Sequence, residues 1–120
     1  MSTFIRKGSS GCGDILATLD GSIVRVGSAM WGNALCNINN NNIHSGASSW
    51  GIVLANIDGR NIRNGPSSWG DVIANIDDNR IRKGASSWGD VLFIINGAAT
   101  EIEKAALAMG AMLVSKNKSK

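Results

Sequence analysis

Residues 61–78 read NIRNGPSSWGDVIANIDD, and nineteen residues further on nearly the same phrase returns as RIRKGASSWGDVLFIING over 80–97. At that step the chain holds five registers. Gly8, Gly27, Gly46, Gly65 and Gly84 form one column, and Gly13, Gly32, Gly51, Gly70 and Gly89 form another. Just before the second glycine stand Cys12, Trp31, Trp50, Trp69 and Trp88, so all four tryptophans occupy one position of the repeat. Repetition at a fixed step means several copies of one small supersecondary unit, none able to bury its apolar face alone. The units must pack on one another.

Within a unit the pattern is that of strands. In DVIANID, Val72, Ala74 and Ile76 fall on one face and Ile73, Asn75 and Asp77 on the other, a period of two with β-branched residues. The same face elsewhere carries Ile15, Ala17 and Leu19; Ala34, Cys36 and Ile38; Val53, Ala55 and Ile57; and Val91, Phe93 and Ile95. Small residues at the centre of most of these strands imply a crowded interior, and Cys36 reads as a small core residue. The opposite column of Leu16, Leu35, Leu54, Ile73 and Leu92 implies that the strand starts are covered on both sides.

Turn signals follow each strand at Asp20-Gly21, Asn39-Asn40, Asp58-Gly59, Asp77-Asp78 and Asn96-Gly97. A shorter strand comes next, starting at the column of Ile5, Val24, Ile43, Ile62 and Ile81. The fold class expected is therefore an all-β repeat: five two-strand, hairpin-like units of 19 residues in an antiparallel array, barrel or prism, over residues 1–99. The alternative is a parallel β-solenoid. That arrangement would stack Arg6, Arg25, His44, Arg63 and Arg82 at the strand spacing of about 4.8 Å, where like charges repel. Hairpins space them further apart, and the Asp-Gly turns favour the same choice.

The pattern changes at Thr100. TEIEKAALAMGAMLVS opens with Thr100 and Glu103 three apart, a capping box. Ile102, Ala105, Ala106, Met109, Met112 and Leu113 then recur at helical spacing, with Leu107, Ala111 and Val114 widening the apolar surface beyond one stripe. A helix over 101–114 (a segment of 100–115) is expected to cap an open end of the sheet. Residues 116–120 are expected as a disordered basic tail. The surplus of apolar surface suggests that the helix also joins protomers of a homo-oligomer.

The formal charge of +3 resides in Lys116, Lys118 and Lys120, which leaves the body neutral. No basic field of the kind that binds nucleic acid remains. Cys12 and Cys36 are too few for a disulfide framework and match no metal knuckle, so both are read as free thiols. No apolar stretch approaches the ~20 residues of a spanning helix, and the first residues lack a signal-peptide core. No membrane association and a cytoplasmic location are the resulting expectations.

Catalysis needs an acid, a base or a nucleophile with a partner. The single histidine, His44, stands in a column of arginines and reads as a polar rim residue. Asp58 and Asp77 read as turn caps, and Asp71 and Asp90 as partners for an arginine across the hairpin. KGSSGCG over 7–13 lacks the following Lys-Ser/Thr and helix of a phosphate loop. No catalytic residue, cofactor or metal ligand is therefore expected. The candidate binding surface is the Ser-Ser-Trp column: Ser48, Ser49, Trp50, Ser67, Ser68, Trp69, Ser86, Ser87 and Trp88. Indoles beside hydroxyls can hold a sugar, with Asn37, Asn56 and Asn75 as a further amide column; equally, the indoles can pack as an apolar ridge.

The phrase G-x-S-S-x-G-[DN]-V-L-x-x-I-D-G-x-x-I-R-x-G resembles short repeats of bacterial proteins over roughly residues 5–97. Gly11-Cys12, Ala29-Met30 and the asparagine run 37–42 depart from it. The resemblance brings no functional residue. The functional expectation is a non-catalytic structural or protein-interaction repeat protein, with a multivalent carbohydrate-binding module as the alternative.

Overall fold

A computed structural model describes residues 3–8, 13–27, 32–39, 42–46, 51–65, 70–84 and 89–118. Ten strands precede one helix. They are β1 (Thr3–Lys7), β2 (Ile15–Asp20), β3 (Ile23–Val26), β4 (Ala34–Asn39), β5 (Asn42–Ser45), β6 (Val53–Asp58), β7 (Asn61–Asn64), β8 (Val72–Asp77), β9 (Arg80–Lys83) and β10 (Val91–Asn96), followed by α1 (Glu101–Lys118). All pairings are antiparallel, and the strands close into a barrel in which β1 joins β10 to β2. The hairpin arrangement holds and the solenoid does not. Ile43, Ile62 and Ile81 face Ala55, Ala74 and Phe93 on antiparallel neighbours instead of stacking on one another.

Four hairpins are continuous in sequence: β2–β3, β4–β5, β6–β7 and β8–β9. The fifth is assembled from the two ends of the repeat region, the long strand β10 pairing with the short strand β1. Each pair joined by a longer link carries a register shift, at Ile5/Arg6, Val24/Arg25, Ile43/His44, Ile62/Arg63 and Val91/Phe93. A bulge bends and twists its strand, and five at one level turn a flat array into a closed wall. The two-residue turns begin one residue later than the sequence signals suggest. Asp20, Asp58 and Asp77 end strands, while Gly21, Gly59 and Asp78 take the first turn position with φ of 62°, 63° and 57°.

The helix is where the structure departs most from expectation. It does not cap an end of the sheet; it runs through the barrel. Residues 104–111 are all buried, on every face of more than two turns, and α1 packs on β1, β2, β3, β4, β6, β8 and β10, strands from right round the ring. A helix apolar on all sides needs cover on all sides, which one end layer cannot supply. Room comes from small residues on both partners. Ala17, Cys36, Ala55 and Ala74 line the wall, and Ala105, Ala106, Ala108, Gly110 and Ala111 line the helix. Phe93 stands where the other long strands have Ala or Cys, and α1 lies closer to β2 and β4 than to β10.

The barrel wall thus takes up much of the apolar surplus first assigned to an intersubunit contact: Leu107 is fully buried and Met109 nearly so, with Met112 and Leu113 half-buried. The helix starts with the expected box, Thr100 N donating to Glu103 Oε1 at 2.8 Å and Glu103 N to Thr100 Oγ1 at 3.3 Å. The helix is described to Lys118, so 116–118 of the expected tail 116–120 are helical, and 119–120 lie outside the described residues. Nothing in the sequence after Val114 breaks a helix before Lys118. Among the described residues no helix is long and apolar enough to cross a membrane.

Candidate functional site at the loop end of the barrel

The links β1–β2, β3–β4, β5–β6, β7–β8 and β9–β10 all leave one end of the barrel, and the tight turns occupy the other. Each link is pinched into a closed neck. Its first glycine donates back to the preceding long strand: Gly8 N to Leu92 O, Gly27 N to Leu16 O, Gly46 N to Leu35 O, Gly65 N to Leu54 O and Gly84 N to Ile73 O, at 2.9–3.2 Å. One residue earlier the two feet meet: Lys7 N to Asp14 O, Val26 N to Asn33 O, Ser45 N to Ile52 O, Asn64 N to Asp71 O and Lys83 N to Asp90 O, at 2.8–3.0 Å. The first glycine column has φ between 73° and 83°, a conformation that a Cβ disfavours. In the second column, a Cβ on Gly13 or Gly32 would collide with the carbonyl oxygen of Lys7 or Val26.

The polar columns hold these necks in place. Arg25, Arg63 and Arg82 each donate Nη1 to the carbonyl of Gly32, Gly70 and Gly89 at 2.9–3.0 Å, and Nε to Asp20, Asp58 and Asp77 at 3.0–3.2 Å. One guanidinium thus ties its own short strand to the preceding long strand and to the foot of the following link. Arg6 repeats the arrangement across the chain ends, with Nη1 on Gly13 O at 2.8 Å and Nε on Asn96 Oδ1 at 2.9 Å. His44 takes the same place in its sector, with Nδ1 2.7 Å from Gly51 O. Facing a carbonyl, that nitrogen carries the proton. His44 is thus a mostly buried brace and not a rim residue.

The carboxylates are also placed differently from expectation. Asp77 lies diagonally across the hairpin from Arg82, the reach of a long side chain, so Asp58 and Asp77 serve guanidinium groups. Asp71 and Asp90 are exposed at the necks. The amide column is likewise internal: Asn37, Asn56 and Asn75 donate Nδ2 to the carbonyls of Gly46, Gly65 and Gly84 at 2.7–2.8 Å, and Thr18 Oγ1 does the same to Gly27 O at 2.6 Å. All four are buried, so this column faces no sugar.

Ser48, Ser49, Trp50, Ser67, Ser68, Trp69, Ser86, Ser87 and Trp88 lie outside the described residues, as do Trp31 and Cys12. The necks place the ends of their segments in one ring. Inside that ring stands the later part of α1. Lys104 Nζ donates to Asp78 O at the turn end, at 2.9 Å. Cys36 Sγ meets Ala106 O at mid-barrel, and Gly110 sits against Val24 and Leu35, so the helix climbs towards the necks.

Residues 5–118 match the model of the 6-fold beta flower proteins. The chain belongs to that family. No curated protein and no solved structure matches it. This β-flower forms five sectors among its described residues where the family is described as six-fold. Its sectors are not identical. In the column Asp14, Asn33, Ile52, Asp71 and Asp90, Ile52 is 78% exposed, the one exposed large hydrophobic among the described residues. Sequence periodicity contained that signal as a break in a polar column. Cys36 is buried and unpaired, and burial pushes its thiol up to about 12, opposed by the backbone of Gly110. Among the described residues no group of three or more His, Cys, Asp or Glu side chains is placed to hold a metal ion.

Proposed function

We propose that this β-flower is a non-catalytic interaction scaffold, a helix-filled barrel that offers the ring of necks at its loop end to a protein partner. The observation that carries this reading is the use of the polar columns. The arginines, His44, Asn37, Asn56, Asn75 and Thr18 are engaged in fixing the necks, which is what a rigid platform for five short segments requires.

Two further features favour protein over polyanion. Exposed Lys7 and Lys83 are interspersed at the necks with Asp14, Asp71 and Asp90, so the necks carry no single-signed field. Ile52 adds an exposed aliphatic anchor to that end, next to the segment that contains Trp50. Ile52→Asp restores the residue that Asp14, Asp71 and Asp90 have at the same position. The test is co-purification from the native cell with wild-type and Ile52→Asp baits of matched thermal stability. A protein retained by the wild type and lost by the variant is the expected result. Identical retention by both, or a partner footprint on the turn end, would overturn the reading.

A further inference from the structure

The five sectors are closed unequally, and the one at the chain ends lacks connections that most of the others have. Hairpins β2–β3, β4–β5, β6–β7 and β8–β9 are each covalently joined by a turn, whereas β10 passes into Gly97 and α1 and meets β1 only through space. Four sectors secure the first glycine of a neck with a hydroxyl or amide, from Thr18, Asn37, Asn56 and Asn75. The fifth has Ile94 in that column, opposite Arg6, and so has no side-chain donor there. Three sectors pair their arginine with a carboxylate, while Arg6 has the neutral amide of Asn96. The sequence linking β1 to β2, residues 8–14, has glycine at 8, 11 and 13, where each other link has two.

Ile5 of β1 is fully buried against the interior, Thr3 Oγ1 donates to Ala98 O at 2.8 Å, Arg6 donates to Gly13 O and Asn96 Oδ1, and the rest is backbone hydrogen bonding to β2 and β10. A released β1 leaves a slot between β2 and β10 with unpaired backbone on both sides and a pocket for one isoleucine. Such a slot takes an extended segment by strand addition. The segment that fits it in register, length and side-chain pattern is Thr3–Lys7 of another molecule, and exchange of an identical element is a low-cost route to a dimer.

We propose that β1 is an exchangeable strand, through which a second copy of this chain joins the first by reciprocal placement of Thr3–Lys7 between β2 and β10. The inference rests on the seam alone and is independent of the reading of the loop end. Phe4 and Asn96 are directly paired across the seam, which gives the test. Full-length chains in a Cys12→Ser background are prepared with two different tags, one with Phe4→Cys and the other with Asn96→Cys, mixed, and oxidised under native conditions. The expected product is a disulfide dimer that joins the two tags; a control pair, Phe4→Cys with Arg63→Cys, forms none.

Hydrogen exchange on the unmodified protein supplies a second readout that needs no variant to fold. The β1 amides should exchange about fivefold or more faster than those of β7, the ratio that one missing brace of ordinary hydrogen-bond strength implies. Ile94→Asn with Asn96→Asp, which adds the missing amide donor and the carboxylate that the other arginines have, should slow that exchange. The proposal is overturned by any of three results: absence of the tag-to-tag disulfide, β1 amides as protected as those of β7, or undiminished exchange in the rebuilt double variant.

Discussion

A methyl group on Gly110 of α1 would stand 2.6 Å from Cγ1 of Val24 on β3, well inside van der Waals contact. The helix interior disfavours glycine by about 1 kcal/mol relative to alanine, so in isolation Gly110→Ala would be a gain. Here it is a collision with a β-branched side chain that has little rotamer freedom and is itself fully buried. Overpacking a filled core costs about 1–3 kcal/mol. Gly110→Ala is therefore expected to destabilise the protein by roughly 0.5–2 kcal/mol net in urea unfolding. Adding Val24→Ala should make the alanine at 110 less harmful than it is alone. Stabilisation by the single change would mean that the helix is not held against β3.

The arginine braces predict an asymmetry between the two partners of one contact. Arg82 is linked both to Asp77 and to the carbonyl of Gly89, at 3.0 and 2.9 Å. Asp77 is about two-fifths exposed, and the pair is a surface ion pair worth about 0–1 kcal/mol. Asn96 already plays the Asp77 role towards Arg6 without a charge. Asp77→Asn should accordingly cost less than about 1 kcal/mol, since only the charge is lost. Arg82→Ala also removes the donor to the neck and should cost about 1–2 kcal/mol by denaturant titration. Equal losses would place the stabilisation in the ion pair and not in the neck.

Cys36 gives a prediction in pH. Its thiol is raised from 9.0 to about 12 by burial, so the folded state keeps the proton that the unfolded state gives up. Below pH 9 both states are protonated and the group contributes no pH dependence. As pH rises from 9 towards 12, the unfolded chain binds fewer protons than the native one, and stability falls. A Cys12→Ser protein should lose stability over that window more steeply than Cys12→Ser with Cys36→Ala. It should also resist thiol reagents at neutral pH until unfolded, because the reactive species is the thiolate. Rapid native-state labelling at a single site would contradict the interior position of Cys36.

The repeat and its strand pairs were open to reading because they depend on local pattern. The Trp and Gly columns give the step, and the alternation in DVIANID gives the buried face. The helix was legible as a helix, from its capping box and its spacing. Its position was not. The excess of apolar surface on Leu107, Ala111 and Val114 shows that one face is insufficient, but a chain pattern does not name the covering partner. Ala17, Ala55 and Ala74 held the complementary half of the answer, as a space left at the barrel axis. The partners of the arginine column were misread for a different reason: they are the strand-end Asp20, Asp58 and Asp77 and not Asp71 or Asp90, together with glycine carbonyls, which no side-chain pattern advertises. Closure of β1 on β10 joins residues about ninety apart, and nothing local encodes it. The Ser-Ser-Trp candidates lie outside the described residues, so the structure does not test them.

Turn chemistry supplies the last prediction. Gly21, Gly59 and Asp78 occupy the same first turn position, all at positive φ, yet only Asp78 carries a side chain there. For an L-residue that conformation costs about 1–2 kcal/mol, somewhat less for Asp, whose short polar chain can bond locally. Around Gly59 a methyl would meet nothing within 4 Å, so space is not the constraint and backbone strain is. Gly59→Ala should thus cost about 1–2 kcal/mol despite the open surroundings. Asp78→Gly should move the other way or be neutral, within about 1 kcal/mol, because the relief of strain is set against the greater freedom of the unfolded chain. The carbonyl of residue 78 still accepts from Lys104 Nζ in either case, so the anchor at the helix entrance is preserved. Thermal unfolding of the two single variants and their combination checks the signs, and the two effects should add, since the turns are separate. A loss at Asp78→Gly as large as that at Gly59→Ala would show that the carboxylate of Asp78, and not its backbone conformation, governs that turn.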